Sequence, residues 1–162
     1  MSKREENSVL TTKNLSVGYG SKNDIKVVAK HMNLSLNKGE LVCLVGKNGI
    51  GKSTLLRTLS KMQPRLDGTI LLENKSIDLF SRNELAKILS LVLTERIPSS
   101  NLTVYELIAL GRQPYTNWIG KLLEEDLKQI KEALSQSHLI ELMNERCDKL
   151  SDGQLQRAMI CR

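Results

Sequence analysis

Gly46-Lys47-Asn48-Gly49-Ile50-Gly51-Lys52-Ser53-Thr54 follows directly on the apolar run Leu41-Val42-Cys43-Leu44-Val45, and this order decides the fold class of the chain. The run at 41–45 predicts a buried strand. The glycines at 46, 49 and 51 let the backbone turn after it with its N–H groups inward, a nest for phosphate oxygens. A helix starting near Gly51 adds the positive end of its dipole to the same nest. Lys52 is then placed to neutralise the β- and γ-phosphates of a nucleotide, and Ser53 to offer a hydroxyl to Mg²⁺. The strand before and the helix after turn a glycine-rich letter pattern into a phosphate-binding loop.

The rest of the composition fits one soluble domain. Of 162 residues, 40% are hydrophobic and 26% charged, enough apolar material for a core and an ordinary charge density. Met1-Ser2-Lys3-Arg4-Glu5-Glu6-Asn7 is followed by no apolar segment, and the apolar runs elsewhere are strand-sized. Neither a signal peptide nor a membrane span is therefore expected, and a cytoplasmic location is. Cys43, Cys147 and Cys161 are odd in number and widely spaced among apolar neighbours, which reads as reduced packing residues. The formal charge of +6 comes from Lys and Arg scattered among acids, and aromatic residues make up only 3% of the chain. Both facts argue against nucleic acid as a partner.

Along the chain, Val9 to Val17 and Leu34-Ser35-Leu36 alternate apolar and polar residues as strands with one buried face do, and Asn37-Lys38-Gly39-Glu40 is a turn. Ser53 to Lys61 reads as a helix with Leu55, Leu56 and Leu59 on one face, ended by Pro64 and Asp67-Gly68 before a strand at Thr69-Ile70-Leu71-Leu72. The middle of the chain turns helical. Ser81-Arg82-Asn83-Glu84 and Thr103-Val104-Tyr105-Glu106 fit the capping box, and Glu124-Glu125-Asp126 opens a helix with Leu127, Ile130 and Leu134 at core spacing. The fold class is α/β: a P-loop nucleotide-binding core with an N-terminal antiparallel β portion over 9–79, then an inserted helical subdomain over 80–148.

A second motif, Leu150-Ser151-Asp152-Gly153-Gln154-Leu155-Gln156-Arg157, lies about a hundred residues beyond the loop. With the phosphate loop upstream, it resembles the signature segment of the ATP-binding subunits of ABC transporters, Leu-Ser-Gly-Gly-Gln followed by Gln-Arg. The resemblance runs from Leu10 to Arg162, with 149–162 as the signature and the start of its helix. Tyr19 matches the family's aromatic residue that stacks on adenine; an exposed turn residue between Gly18 and Gly20 is the alternative. Thr103-Val104-Tyr105-Glu106-Leu107 and Gly111-Arg112-Gln113-Pro114 look most like the importers for iron-siderophore, haem or cobalamin complexes.

The resemblance implies ATP with Mg²⁺ as the ligand, held by Gly46, Asn48, Gly49, Gly51, Lys52, Ser53 and Thr54, with Ser53 as the metal ligand and Tyr19 at the base. Ser151, Gly153 and Gln154 would face the phosphates bound by a second copy in a head-to-tail homodimer. Membrane-spanning permease subunits would be the other partner, placing the protein peripherally on the inner face of the cell membrane without insertion. Pro114-Tyr115-Thr116-Asn117-Trp118-Ile119 would then either line the groove that meets the permease or be tucked into the helical subdomain.

Three departures stand against the family pattern. Thr94, with Glu95 after it, falls where the family has a Gln that reaches Mg²⁺ and water, and a Thr hydroxyl is shorter and lacks the amide. Asp152 replaces a glycine, either capping the following helix or placing negative charge near a phosphate. In the family, an apolar strand ending in Asp, then a catalytic Glu and a His, follow the signature helix, and no apolar run ending in Asp-Glu occurs in these 162 residues. This stretch by itself is thus expected to bind Mg-ATP without hydrolysing it, with no catalytic residue of its own. Leu41 to Val45, beside which that strand lies in the family, is expected to keep an open edge. Two other readings stay open: a non-catalytic nucleotide-binding or assembly module, and an ABC ATPase outside transport.

Overall fold

In this computed structural model residues 7–21, 24–92 and 101–162 are described. The chain forms two compact units, Met1–Leu91 and Val92–Arg162.

The first unit is built on β1 (Ser8–Ser21), whose early alternation buries Ser8, Leu10 and Thr12 in turn, with Leu15 and Val17 fully buried further along. β2 (Asp24–Met32) and β3 (Ser35–Asn37) pair with β1, as does β4 (Asp67–Leu72), to which β5 (Lys75–Ser76) adds. Every one of these pairings is antiparallel. Thr12 ties the junction of β2 and β3: its hydroxyl donates to Met32 O at 3.0 Å and accepts from Leu34 N at 2.9 Å. α1 (Lys52–Leu59) packs Leu59, and Leu55 less completely, onto the core of Leu10, Leu15, Val17, Ile70, Leu72, Ile77 and Leu85, whereas Leu56 points to solvent. Beyond α1, Lys61 Nζ donates to the carbonyls of Ile77 (3.0 Å) and Phe80 (2.9 Å), and Arg65 forms a two-pronged pair with Asp78 at 2.9 and 2.7 Å. These bonds anchor the connection to α2 (Arg82–Ile88), whose N-terminus carries the expected capping box: Ser81 Oγ accepts from Glu84 N at 3.2 Å, and Ser81 N donates to Glu84 Oε2 at 2.8 Å.

The run 41–45 departs from its sequence reading. It forms no strand, no described segment pairs with it, and Leu41 and Val45 are 91% and 89% exposed. Apolar β-formers favour an extended conformation, but a ladder also needs a neighbour to take each N–H and C=O, and among the described residues 41–45 has none. With no strand at 41–45, the expectation of a strand there with an open edge is not met. Cys43 within the run is exposed too, rather than packed. β2 departs in the opposite sense: it is a strand that its polar ends, Asp24-Ile25-Lys26 and Lys30-His31-Met32, do not announce.

The second unit gathers α3 (Val104–Ala109), α4 (Glu124–Gln136) and α5 (Asp152–Cys161) around Val104, Leu107, Ile108, Ile130, Leu134, Leu139, Cys147 and Ala158. Thr103 caps α3 as expected, accepting from Glu106 N at 3.2 Å while its own N donates to Glu106 Oε2 at 2.7 Å. On α4 the buried stripe is Asp126, Ile130 and Leu134, and Leu127 is 46% exposed. Asp126 takes the place expected of Leu127 because its carboxylate is fully partnered inside: Oδ2 accepts from Leu123 N at 2.9 Å and Oδ1 from Arg112 Nε at 2.8 Å.

Candidate functional site

The segment 46–51 leads into α1 by a tight turn in which Ile50 N donates to Lys47 O at 3.3 Å. Gly49 (φ 78°) and Gly51 (φ 106°) lie in the left-handed region that strains any side chain. Gly51 is the N-cap of α1, and its carbonyl accepts from Leu55 N at 3.0 Å. A methyl added at Gly51 would also collide with Cγ1 of Val28. The first helical residue, Lys52, folds its side chain back over the loop, donating from Nζ to Gly46 O at 2.7 Å and to Lys47 O at 2.9 Å. The ammonium thus sits inside the turn made by the glycines. Lys47, Asn48 and Ser53 are exposed, and Thr54 is half-buried on the first turn of α1.

Tyr19 lies on β1, opposite Lys26 of β2; the residue is 47% exposed, and Lys26 Nζ lies 5.8 Å from the ring centroid. A half-exposed aromatic side chain suits a base, a helix N-terminus with an ammonium in a glycine turn suits phosphates, and the exposed Ser53 suits a divalent ion.

The other candidate residues belong to the second unit. Ser151 is the N-cap of α5: its hydroxyl accepts from Gln154 N at 3.3 Å, and its N donates to Gln154 Oε1 at 2.9 Å. Asp152, read from sequence as a possible cap, is instead the first residue inside the helix, where its charge complements the dipole. Gly153 is exposed, and a Cβ there would meet nothing within 4 Å. Thr94 and Glu95 lie outside the described residues.

The segment after α3 forms a short 3-10 turn, Leu110–Tyr115, and then a loop in which Asn117 Oδ1 accepts from Ile119 N (3.1 Å) and Lys121 N (3.2 Å). Trp118 is 94% exposed and Ile119 is 69% exposed, which excludes the reading that they are tucked into the helical core. Arg112 underlies this loop, stacked 4.1 Å from the Tyr115 ring centroid and paired with buried Asp126. The Leu123 N–H, and next to it the Arg112 guanidinium, hold the Asp126 carboxyl below its ordinary range. Sequence reading missed this pair. The acid at the third position of α4 was visible as a helix-start signal, while its arginine, 14 residues earlier, leaves no local mark.

Among the described residues no helix is long and apolar enough to cross a membrane, and no cluster of three His, Cys, Asp or Glu side chains could hold a metal. Residues 29–162 match the family described as ABC transporter. The chain is 40% identical over 154 residues to an uncharacterised ABC transporter ATP-binding protein of Methanocaldococcus jannaschii, covering 95% of this chain and 52% of that protein. It is 37% identical to a probable siderophore transport system ATP-binding protein of Bacillus subtilis (94% and 54% covered). With the ferric enterobactin transport ATP-binding protein of Escherichia coli the identity is 32% (90% and 52% covered). The chain spans about half the length of these relatives. Among solved structures, a dimeric bacterial ABC transporter cassette superposes with a TM-score of 0.76 at 28% identity, over 94% of this chain and 67% of that one. A post-hydrolysis cassette bound to ADP and Pi gives 0.75, also at 28% identity, with the same coverage.

Proposed function

The chain belongs to the ABC transporter ATP-binding family, and from that premise we propose that it is the nucleotide-binding part of an importer ATPase that couples Mg-ATP to uptake of an iron complex or cobalamin. The observation that carries the nucleotide reading is the Lys52 ammonium held within the glycine turn at the start of α1. In this reading the backbone N–H groups at Gly49, Gly51 and α1 hold phosphate oxygens, with Gly46 and Asn48 shaping the loop. Lys52 exchanges its loop carbonyls for phosphate oxygens, Ser53 holds Mg²⁺, Thr54 supports the same turn, and Tyr19 stacks on the base. ATP with Mg²⁺ supplies the free energy of phosphoryl transfer when bound. The siderophore and enterobactin transport systems named for the relatives favour an iron complex as cargo.

We further propose a homodimer in which Ser151, Gly153 and Gln154 of one copy face the phosphates bound by the other, in keeping with the dimeric cassettes this chain resembles. The exposed Trp118 and Ile119 are the surface proposed to meet the permease subunits, since aromatic patches of this kind mark interaction sites. The location that follows is the inner face of the cell membrane, held there by the permease. These 162 residues alone bind Mg-ATP and do not turn it over, because hydrolysis needs a general base that none of their runs supplies.

Calorimetry with Mg-ATP tests the nucleotide reading. Lys52→Ala removes a charge-assisted contact and should weaken binding about tenfold or more, and unchanged affinity in folded protein would remove the site. Phosphate release by the unsubstituted chain that disappears with Lys52→Ala would show that catalysis resides within these residues after all.

A further inference from the structure

β2 runs antiparallel to β1 with Gly20 opposite Ile25, Tyr19 opposite Lys26 and Gly18 opposite Val27, after which Val17 pairs with Ala29. Val28 is therefore the extra residue of a β-bulge, opposite no residue of β1. Bulges bend a strand and re-aim a side chain. Here Val28 is aimed at the phosphate loop, because its Cγ1 fills the space a Gly51 side chain would need. Val28 is half-buried and packs against the sheet core as well, so it has little room to swing. Two residues earlier, Lys26 faces Tyr19 across the hairpin with its ammonium beside the ring. The stretch 26–28 thus touches the aromatic platform at one end and the N-cap of α1 at the other. Gly51 is equally constrained, at φ 106° and with its carbonyl starting the helix.

We propose that Val28 is a positioning residue that fixes the spacing between Tyr19 and the phosphate loop, so that the base and the triphosphate of one nucleotide meet a single pre-registered surface. This rests on the nucleotide reading above. When two subsites are held at the span of a ligand, binding of one end raises the effective concentration of the other. Loosening the contact between Val28 and Gly51 lets the spacing fluctuate, and the advantage of joining base to phosphates falls, while the phosphate loop alone still holds phosphate.

The experiment compares dissociation constants for Mg-ATP and for inorganic tripolyphosphate in the unsubstituted chain, Val28→Ala, Tyr19→Ala, the double variant and Val28→Thr. Val28→Ala should weaken ATP binding about five- to tenfold and change tripolyphosphate binding by less than about twofold, the coupling expected for groups joined through a backbone contact. In the Tyr19→Ala background the extra loss for ATP should shrink below about twofold, since the platform to be aligned is gone. Val28→Thr keeps both γ branches and should restore most of the ATP affinity. An equal loss for ATP and tripolyphosphate, or a loss that multiplies undiminished with that of Tyr19→Ala, overturns the proposal and makes Val28 a packing residue or an independent contact. Failure of the unsubstituted chain to bind tripolyphosphate overturns the phosphate-loop reading, and this proposal with it.

Discussion

Two short apolar runs in the first unit, Thr69-Ile70-Leu71-Leu72 and Leu41-Val42-Cys43-Leu44-Val45, carry the same local signal and end in opposite states. The first is in β4, paired with β1 through Leu10↔Leu72 and Thr12↔Ile70, with Ile70 and Leu72 2% and 3% exposed. The second is exposed coil, Leu41 at 91% and Val45 at 89%, though it is if anything the more apolar. Composition specifies what a segment buries once a neighbour exists, and the neighbour decides whether it becomes a strand. β4 has β1 paired with it, whereas no described segment pairs with 41–45.

The comparison breaks most visibly in stability. Ile70→Ala deletes fully buried methylene and methyl groups and should destabilise the first unit by about 2–5 kcal/mol. Leu44→Ala, at an exposed position with no partner strand, should cost about 0.5 kcal/mol or less. Urea unfolding of both variants measures the contrast. Comparable losses would mean that 41–45 is packed in solution and that the two runs are alike after all.

What was legible in the sequence divides along the same line. Local devices read correctly, because their partners lie three or four residues away: Ser81 with Glu84, Thr103 with Glu106, the glycines before Lys52, and Ile130 with Leu134. β1 was visible through alternation, and β4 as an apolar run behind the Asp67-Gly68 turn. β2 was not, because its pairing is broken by a bulge at Val28 and its exposed outer residues blur the period of two. Of the candidate site, the phosphate loop, Tyr19 and the Ser151 segment could be named from sequence. Their supports could not: Val28 against Gly51, and Arg112 against Asp126, are contacts between segments 14 or more residues apart, which no window along the chain reports.

The α4 stripe repeats the lesson with a polar residue. Asp126 is buried at a position where sequence spacing favours Leu127, and it is tolerated because Leu123 N–H and Arg112 are in place to meet it. Those same groups hold its carboxyl below the unfolded value of about 3.9. A depressed folded value means that the stabilisation is complete above the unfolded value and is lost as pH falls through the lower, folded one. Asp126→Asn should therefore melt below the unsubstituted chain at pH 7, by less than Ile70→Ala costs, and the gap should close as pH is taken below about 4. A gap independent of pH would show that shape, and not charge, holds Asp126 in the stripe.

The smallest effect on stability is expected at Val45, and it separates an unpaired run from a hidden strand most directly. Val45 is 89% exposed at the entrance to the phosphate loop, and Leu41, Val42 and Leu44 before it are also exposed. An apolar segment of high β-propensity with unpaired N–H and C=O groups is a template for pairing with another chain, and a lysine within it opposes such pairing by charge and by the cost of burying that charge. Val45→Lys removes little that is buried, so the unfolding midpoint should move by no more than the equivalent of about 0.5 kcal/mol. Sedimentation at rising concentration should meanwhile show less self-association than the unsubstituted chain. If the variant instead unfolds readily while its association is unchanged, the valine is packed against something within its own chain. The contrast between 41–45 and β4 would then be one of degree, set by how well each strand is covered and not by whether a neighbour is present.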